Sequence, residues 1–135
     1  MVIALAGLID SGDGGTIMAM QSLNGSCHCG AIAYAVEADP EQAMTCNCSI
    51  CSRLGAVWVF APKAKFKLVK GEGRQGDYQF NKRVLHHQFC PTCGIESYAQ
   101  GKGPDGSEMV GINLRCIEGV DIATLSPKQV DGRSR

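Results

Sequence analysis

The chain has 135 residues, 44% hydrophobic and 19% charged, the composition of an ordinary globular protein, which rules out disorder over most of its length. A compact chain of this size buries about two-thirds of the surface its unfolded form exposes, enough for one modest core and too little for two independent domains. Thirteen Lys and Arg balance thirteen Asp and Glu, so the formal charge is zero and a uniformly basic, polyanion-binding surface is excluded.

At the start of the chain, residues 2–9 form an apolar run that Asp10 to Gly15 interrupts, and no Lys or Arg precedes Arg53. The run lacks the basic start of a secretory signal and the roughly twenty apolar residues of a membrane helix. Residues 1–20 therefore read as a flexible leader, or as sequence upstream of a natural start at Met18 or Met20, and a single domain is expected over 21–135. Residues 31–36 alternate small and larger apolar side chains and stop at Asp39 and Pro40, as a strand does. A single helical turn is expected near 49–54 and a second strand at 57–60. Over 63–68, alternation places Lys63, Lys65 and Lys67 on one face and Ala64, Phe66 and Leu68 on the other, predicting a half-exposed strand. Gly71 to Gly76 is a turn-rich loop, residues 78–80 and 84–89 form a predicted hairpin, and 96–100 follows the last cysteine pair. After a turn at 101–106, residues 109–116 predict a further strand, leading into extended chain through Leu125 and a polar tail. No segment of ten or more residues shows helical periodicity, so the expected class is all-β.

Seven of the eight cysteines fall into three tight groups: Cys27 and Cys29; Cys46, Cys48 and Cys51; Cys90 and Cys93. A disulfide framework stabilises most by tying together distant residues, so this clustering points to thiolates around metal and to a reducing, cytoplasmic setting. In extended backbone Cys27 and Cys29 face one ion while His28 faces away. In Cys90-Pro-Thr-Cys93-Gly94 two sulfurs flank a tight turn, and together the two pairs complete a tetrahedral four-thiolate structural site. The middle trio offers three thiols within six residues, and three protein ligands leave a position open, as catalytic zinc sites do. Three thiolates suit an exchangeable fourth thiolate, so the expected substrate is itself a thiol. The alternative is a second closed site whose fourth ligand is Cys116, His86, His87 or His28. His86 and His87 read more simply as hydrogen-bonded core or rim residues, and Cys116 as a buried apolar thiol. The zero net charge hides a basic middle: residues 53–83 carry eight Lys or Arg against two acids. That bias suits an anionic small molecule, or equally a solvated lysine face, and Arg53, two residues past Cys51, is the candidate to meet a substrate carboxylate.

These motifs together resemble a known family. Gly25-Ser-Cys-His-Cys-Gly30, Cys46-Asn-Cys-Ser-Ile-Cys51, Tyr78-Gln-Phe80, His87-Gln-Phe-Cys-Pro-Thr-Cys-Gly94 and Asn113-Leu-Arg-Cys-Ile-Glu-Gly-Val-Asp121 are similar to the glutathione-dependent formaldehyde-activating enzymes, which include centromere protein V. The resemblance covers about residues 22–132. It implies a β-tent of packed antiparallel sheets with two zinc ions per chain: a structural one on Cys27, Cys29, Cys90 and Cys93, and a second on Cys46, Cys48 and Cys51. The implied activity is a carbon-sulfur lyase reaction joining formaldehyde to glutathione, with Arg53 beside the trio. A competing reading is a zinc-stabilised binding module in which both metals are structural. Nucleic-acid binding is not expected, because the His pair and helix of a classical finger are missing.

Overall fold

The computed structural model describes residues 20–80 and 85–134. The expected leader falls almost wholly outside the described residues, as does Val84 of the expected hairpin. Among these residues ten strands and one α-helix follow in order: β1 (Gln21–Ser26), β2 (Ala33–Ala38), β3 (Met44–Cys46), α1 (Ser49–Leu54), β4 (Trp58–Pro62), β5 (Phe66–Lys70), β6 (Gly76–Tyr78), β7 (His86–Phe89), β8 (Tyr98–Lys102), β9 (Glu108–Asn113) and β10 (Lys128–Val130). The all-β expectation holds, and the strands form two sheets. The smaller is ordered β1-β2-β5 and the larger β10-β3-β4-β9-β8-β7-β6. Pairing is antiparallel throughout except at β10, which lies parallel to β3 with Val130 opposite Cys46. Among the described residues no helix is long and apolar enough to cross a membrane.

The small sheet covers one face of the large one. Leu23, Tyr34 and Val36 from β1 and β2 meet Val59, Ala61, Tyr98, Val110 and Ile112 in a single buried cluster. Tyr34 joins the layers: its hydroxyl donates to the Ser97 carbonyl at 2.8 Å, and its ring lies 5.1 Å from Phe66 and 5.5 Å from Tyr98. Because side chains alternate along a strand, Trp58 and Phe60 of β4 point to the opposite face. There they pack with Met44, Cys46, Cys51, Ala56 and Ala99 in a second cluster. β4 thus has partners on both faces, and each face belongs to a different core.

Four sequence expectations change. The strand expected at 31–36 starts at Ala33, because Ile32 is taken up by the preceding cysteine turn, its carbonyl accepting from Cys27 N at 3.0 Å. Residues 63–68 do not run as one strand: Lys63–Lys65 is a 3-10 turn entered from Pro62, and only from Phe66 does the chain extend. Lys63 and Lys65 therefore leave the Lys67 face and reach Glu108 and Glu37 at 3.5 and 3.9 Å. The strand expected at 78–80 ends at Tyr78, and Phe80 stacks on His87 with ring centroids 5.7 Å apart. The strand expected through Cys116 stops at Asn113, whose side chain accepts from Arg115 N at 3.1 Å and caps a 3-10 turn. The polar tail also does more than expected, since part of it becomes β10.

Candidate metal centre

Two groups of cysteines could each hold a metal ion, and within each the sulfurs all lie within 4.8 Å of one another: Cys27, Cys29, Cys90 and Cys93, and Cys46, Cys48 and Cys51. None of the eight cysteines is bridged.

The first group joins the turn after β1 to the turn after β7. Gly94 adopts a left-handed φ of 80° and donates its N–H to the Cys90 carbonyl at 2.7 Å, which curls the chain so that Cys90 and Cys93 point together. Cys29 Sγ lies 3.7 Å from Cys27 Sγ and 3.6 Å from Cys90 Sγ. Four sulfurs about 2.3 Å from a tetrahedral zinc stand about 3.8 Å apart, so the set fits that ion. Backbone N–H groups aim at the sulfurs, as thiolates require. Ile32 N donates to Cys27 Sγ at 3.4 Å. The N–H of Cys93, with that of Thr92, holds Cys90 below the ordinary thiol range. Those of Cys29 and Ile95 bring Cys93 down to about 6. Cys29 is pushed the other way, to about 11: the Ala31 N–H pulls it down, but hydrogen bonding with Cys90, burial and the other thiols outweigh that. Four crowded sulfurs cannot all ionise without a cation to offset their charge, which a metal on this group would supply.

The trio is built where β3 becomes α1. Cys46 ends β3, Cys48 is the helix N-cap residue, and Cys51 lies one turn further on the same side. Gly55, left-handed at φ 66°, ends the helix by donating to the Cys51 carbonyl at 2.9 Å. Cys46 and Cys51 are buried and Cys48 is half-buried. Cys48 N donates to Cys46 Sγ at 3.5 Å. Burial raises the Cys48 pKa, but the N–H groups of Cys51 and Ile50 and its neighbouring thiols leave it lowered overall. Burial, with Cys48 and Cys46 beside it, pushes Cys51 up, partly offset by the Trp58 indole. Trp58 is fully buried, and its Nε1 has no partner of ordinary hydrogen-bond geometry among the described residues; the group it approaches is the Cys51 sulfur. A metal-bound thiolate there would give that orphaned N–H a charged acceptor, so this site also fits a thiophilic cation.

Among the described residues, no fourth Cys, His, Asp or Glu donor joins the trio. His28 is exposed. His86 binds Asp77 Oδ2 at 2.9 Å on the sheet rim, and buried His87 binds buried Glu96 Oε2 at 2.8 Å. Cys116 lies outside both groups, half-buried, with burial first and then the charges of Cys27, Cys93 and Glu96 raising it to about 11. Arg53 sits in the last turn of α1, exposed, its Nη1 donating to the Ser49 carbonyl at 2.7 Å. Three residues of the site went unnoticed in the sequence: Trp58, Asn47 and Gly132. A Cβ at Gly132 would overlap the Cys46 sulfur and stand 3.3 Å from Cys48 Cβ. Nothing in a polar tail signals such a contact.

A family model described as the glutathione-dependent formaldehyde-activating enzyme matches residues 22–129. The chain belongs to this family. It is also similar to the crystal structure of a Rhodobacter sphaeroides protein solved as a structural-genomics target, at 32% sequence identity and a TM-score of 0.70, over 79% of this chain and 99% of that one. Membership implies glutathione-dependent formaldehyde activation, and both cysteine groups are consistent with zinc. Residues 131–134 lie beyond the matched span.

Proposed function

We propose that the chain is a zinc enzyme joining a thiol of the glutathione class to an aldehyde such as formaldehyde, in the manner of an S-(hydroxymethyl)glutathione synthase, a carbon-sulfur lyase. The reading rests on the incomplete donor set of the trio: Cys46, Cys48 and Cys51 have no fourth protein donor among the described residues. Zinc with three protein ligands exchanges its fourth, whereas four thiolates close the site. Bound at the trio, zinc would supply a position where a substrate thiol is held deprotonated at neutral pH. On this reading Cys27, Cys29, Cys90 and Cys93 hold a second, structural zinc.

The chain's own residues do the rest. The N–H groups of Cys51 and Ile50 and the Trp58 indole favour negative charge on the sulfurs. Arg53, on the same helix, exchanges its bond to the Ser49 carbonyl for one to a substrate carboxylate, a neutral acceptor for a charged one. The substrate sulfur bonds to the aldehyde carbon, the carbon-oxygen double bond becomes single, and the thiol proton ends on that oxygen, so no redox partner is needed. Eight free cysteines belong in a reducing compartment, which favours the cytoplasm.

The test is formation of S-(hydroxymethyl)glutathione measured against the uncatalysed reaction. A thiol-saturable rate above background is expected, lost in Cys48→Ser while the circular dichroism spectrum is kept. No rate above background with any low-molecular-weight thiol refutes the enzyme and leaves the zinc-stabilised binding module.

A further inference from the structure

The C-terminal segment returns to the trio and is fastened there by one side chain. Parallel pairing of β10 with β3 delivers Val130 beside Cys46, and Asn47 N donates to the Val130 carbonyl at 3.2 Å. Beyond that point the sheet ends and Asn47 takes over. Its Nδ2 donates to Asp131 Oδ1 at 3.1 Å, and its Oδ1 accepts from Arg133 N at 2.9 Å. The two bonds bracket Gly132, which is buried against Cys46 Sγ and the Cys48 backbone. Asn47 thus lies between two of the three cysteines in sequence and holds a strap of backbone against the Cys46 sulfur and the Cβ and N of Cys48.

We propose that residues 131–134 form a wall of the position where the trio takes its exchangeable thiol, that Asn47 is the positioning residue latching this wall, and that the wall selects thiols carried on an unbranched carbon. This rests on the proposed function. Cys51 is enclosed by the Trp58 cluster, and Cys48 is the least buried residue of the three, so we place the incoming ligand on the Cys48 side. Gly132 packs against the Cβ and N of that same residue. Where a glycine is needed because even a Cβ would overlap a sulfur, a ligand branched next to its own sulfur competes with the strap for the same space.

The full-length, zinc-loaded protein tests this by zinc transfer to a chromogenic chelator, the trio's phase being the one missing in Cys48→Ser. In the wild type, glutathione is expected to change that phase, and penicillamine, whose sulfur-bearing carbon carries two methyl groups, is not. Asn47→Ala removes both side-chain bonds at an exposed position and is expected to speed the trio's release about tenfold, leave the four-cysteine phase unchanged and admit penicillamine. Asp131→Ala, which keeps the Arg133 bond, falls between. An unchanged trio phase in Asn47→Ala overturns the proposal, as does equal discrimination between the two thiols in wild type and variant. If the strap behaves as expected but formaldehyde is not turned over, the proposed reaction fails and the strap's role stands.

Discussion

The two cysteine groups close chain loops of very different length, and this sets how much a metal ion on each would stabilise the fold. Cys29 and Cys90 are 61 residues apart, so an ion on the first group ties off a long loop, whereas the trio spans only residues 46–51. Treating each ion as a cross-link, loop-closure entropy gives about 4 kcal/mol for the long loop and about 2 kcal/mol for the short one. In a chain of this size each kcal/mol moves Tm by about 4 °C. Cys29→Ser/Cys93→Ser, which leaves two ligands on the first group, is therefore expected to lower Tm by about 16 °C, and Cys48→Ser, which leaves two on the trio, by about 8 °C. Differential scanning calorimetry on the zinc-loaded proteins, repeated with excess chelator, measures both. Chelation should erase most of the difference between each variant and the wild type. Equal losses from the two variants, or a wild type indifferent to chelator, would refute the cross-link argument.

Further outcomes follow from single contacts. Tyr34→Phe leaves the Ser97 carbonyl without its donor between the two sheets and should cost about 2 kcal/mol in urea unfolding; a change within error would mean water replaces the hydroxyl. Cys116 titrates near 11 in the fold against an ordinary 9, so its contribution is complete below pH 9 and is lost as pH rises through 11. Discounted for partial exposure, that is about 1 kcal/mol by pH 10.5, and Cys116→Ala should flatten the alkaline fall in urea midpoint; an identical slope would exclude it. Gly132→Ala places a methyl group on the Cys46 sulfur, and metal analysis should find zinc lost from the trio before the other site; two tightly held zinc ions per chain would contradict the packing.

The cysteine turns were readable because their information is local: spacings of two and three residues, with Gly94 closing one turn, determine where sulfurs point. The α1 turn was equally visible. What escaped were arrangements set by distant partners. Asn47 meets residues 84 and 86 positions away, and no periodicity announces a three-residue strand such as β10. The Trp58 indole finds Cys51 only because β4 and α1 share one buried cluster. At Lys63–Lys65 local alternation misled, because Pro62 and two acidic partners outside the segment favour a turn over a half-exposed strand.

Because β4 turns alternate side chains into separate cores, it acts as a partition wall through the molecule. Cys27, Cys90 and Cys93 anchor the side that the small sheet roofs, while Cys46, Cys48 and Cys51 belong wholly to the other. A ligand or metal at the trio would meet side chains of that one cluster. The proposed thiol exchange would then be confined to one compartment, with the four-cysteine group framing the other.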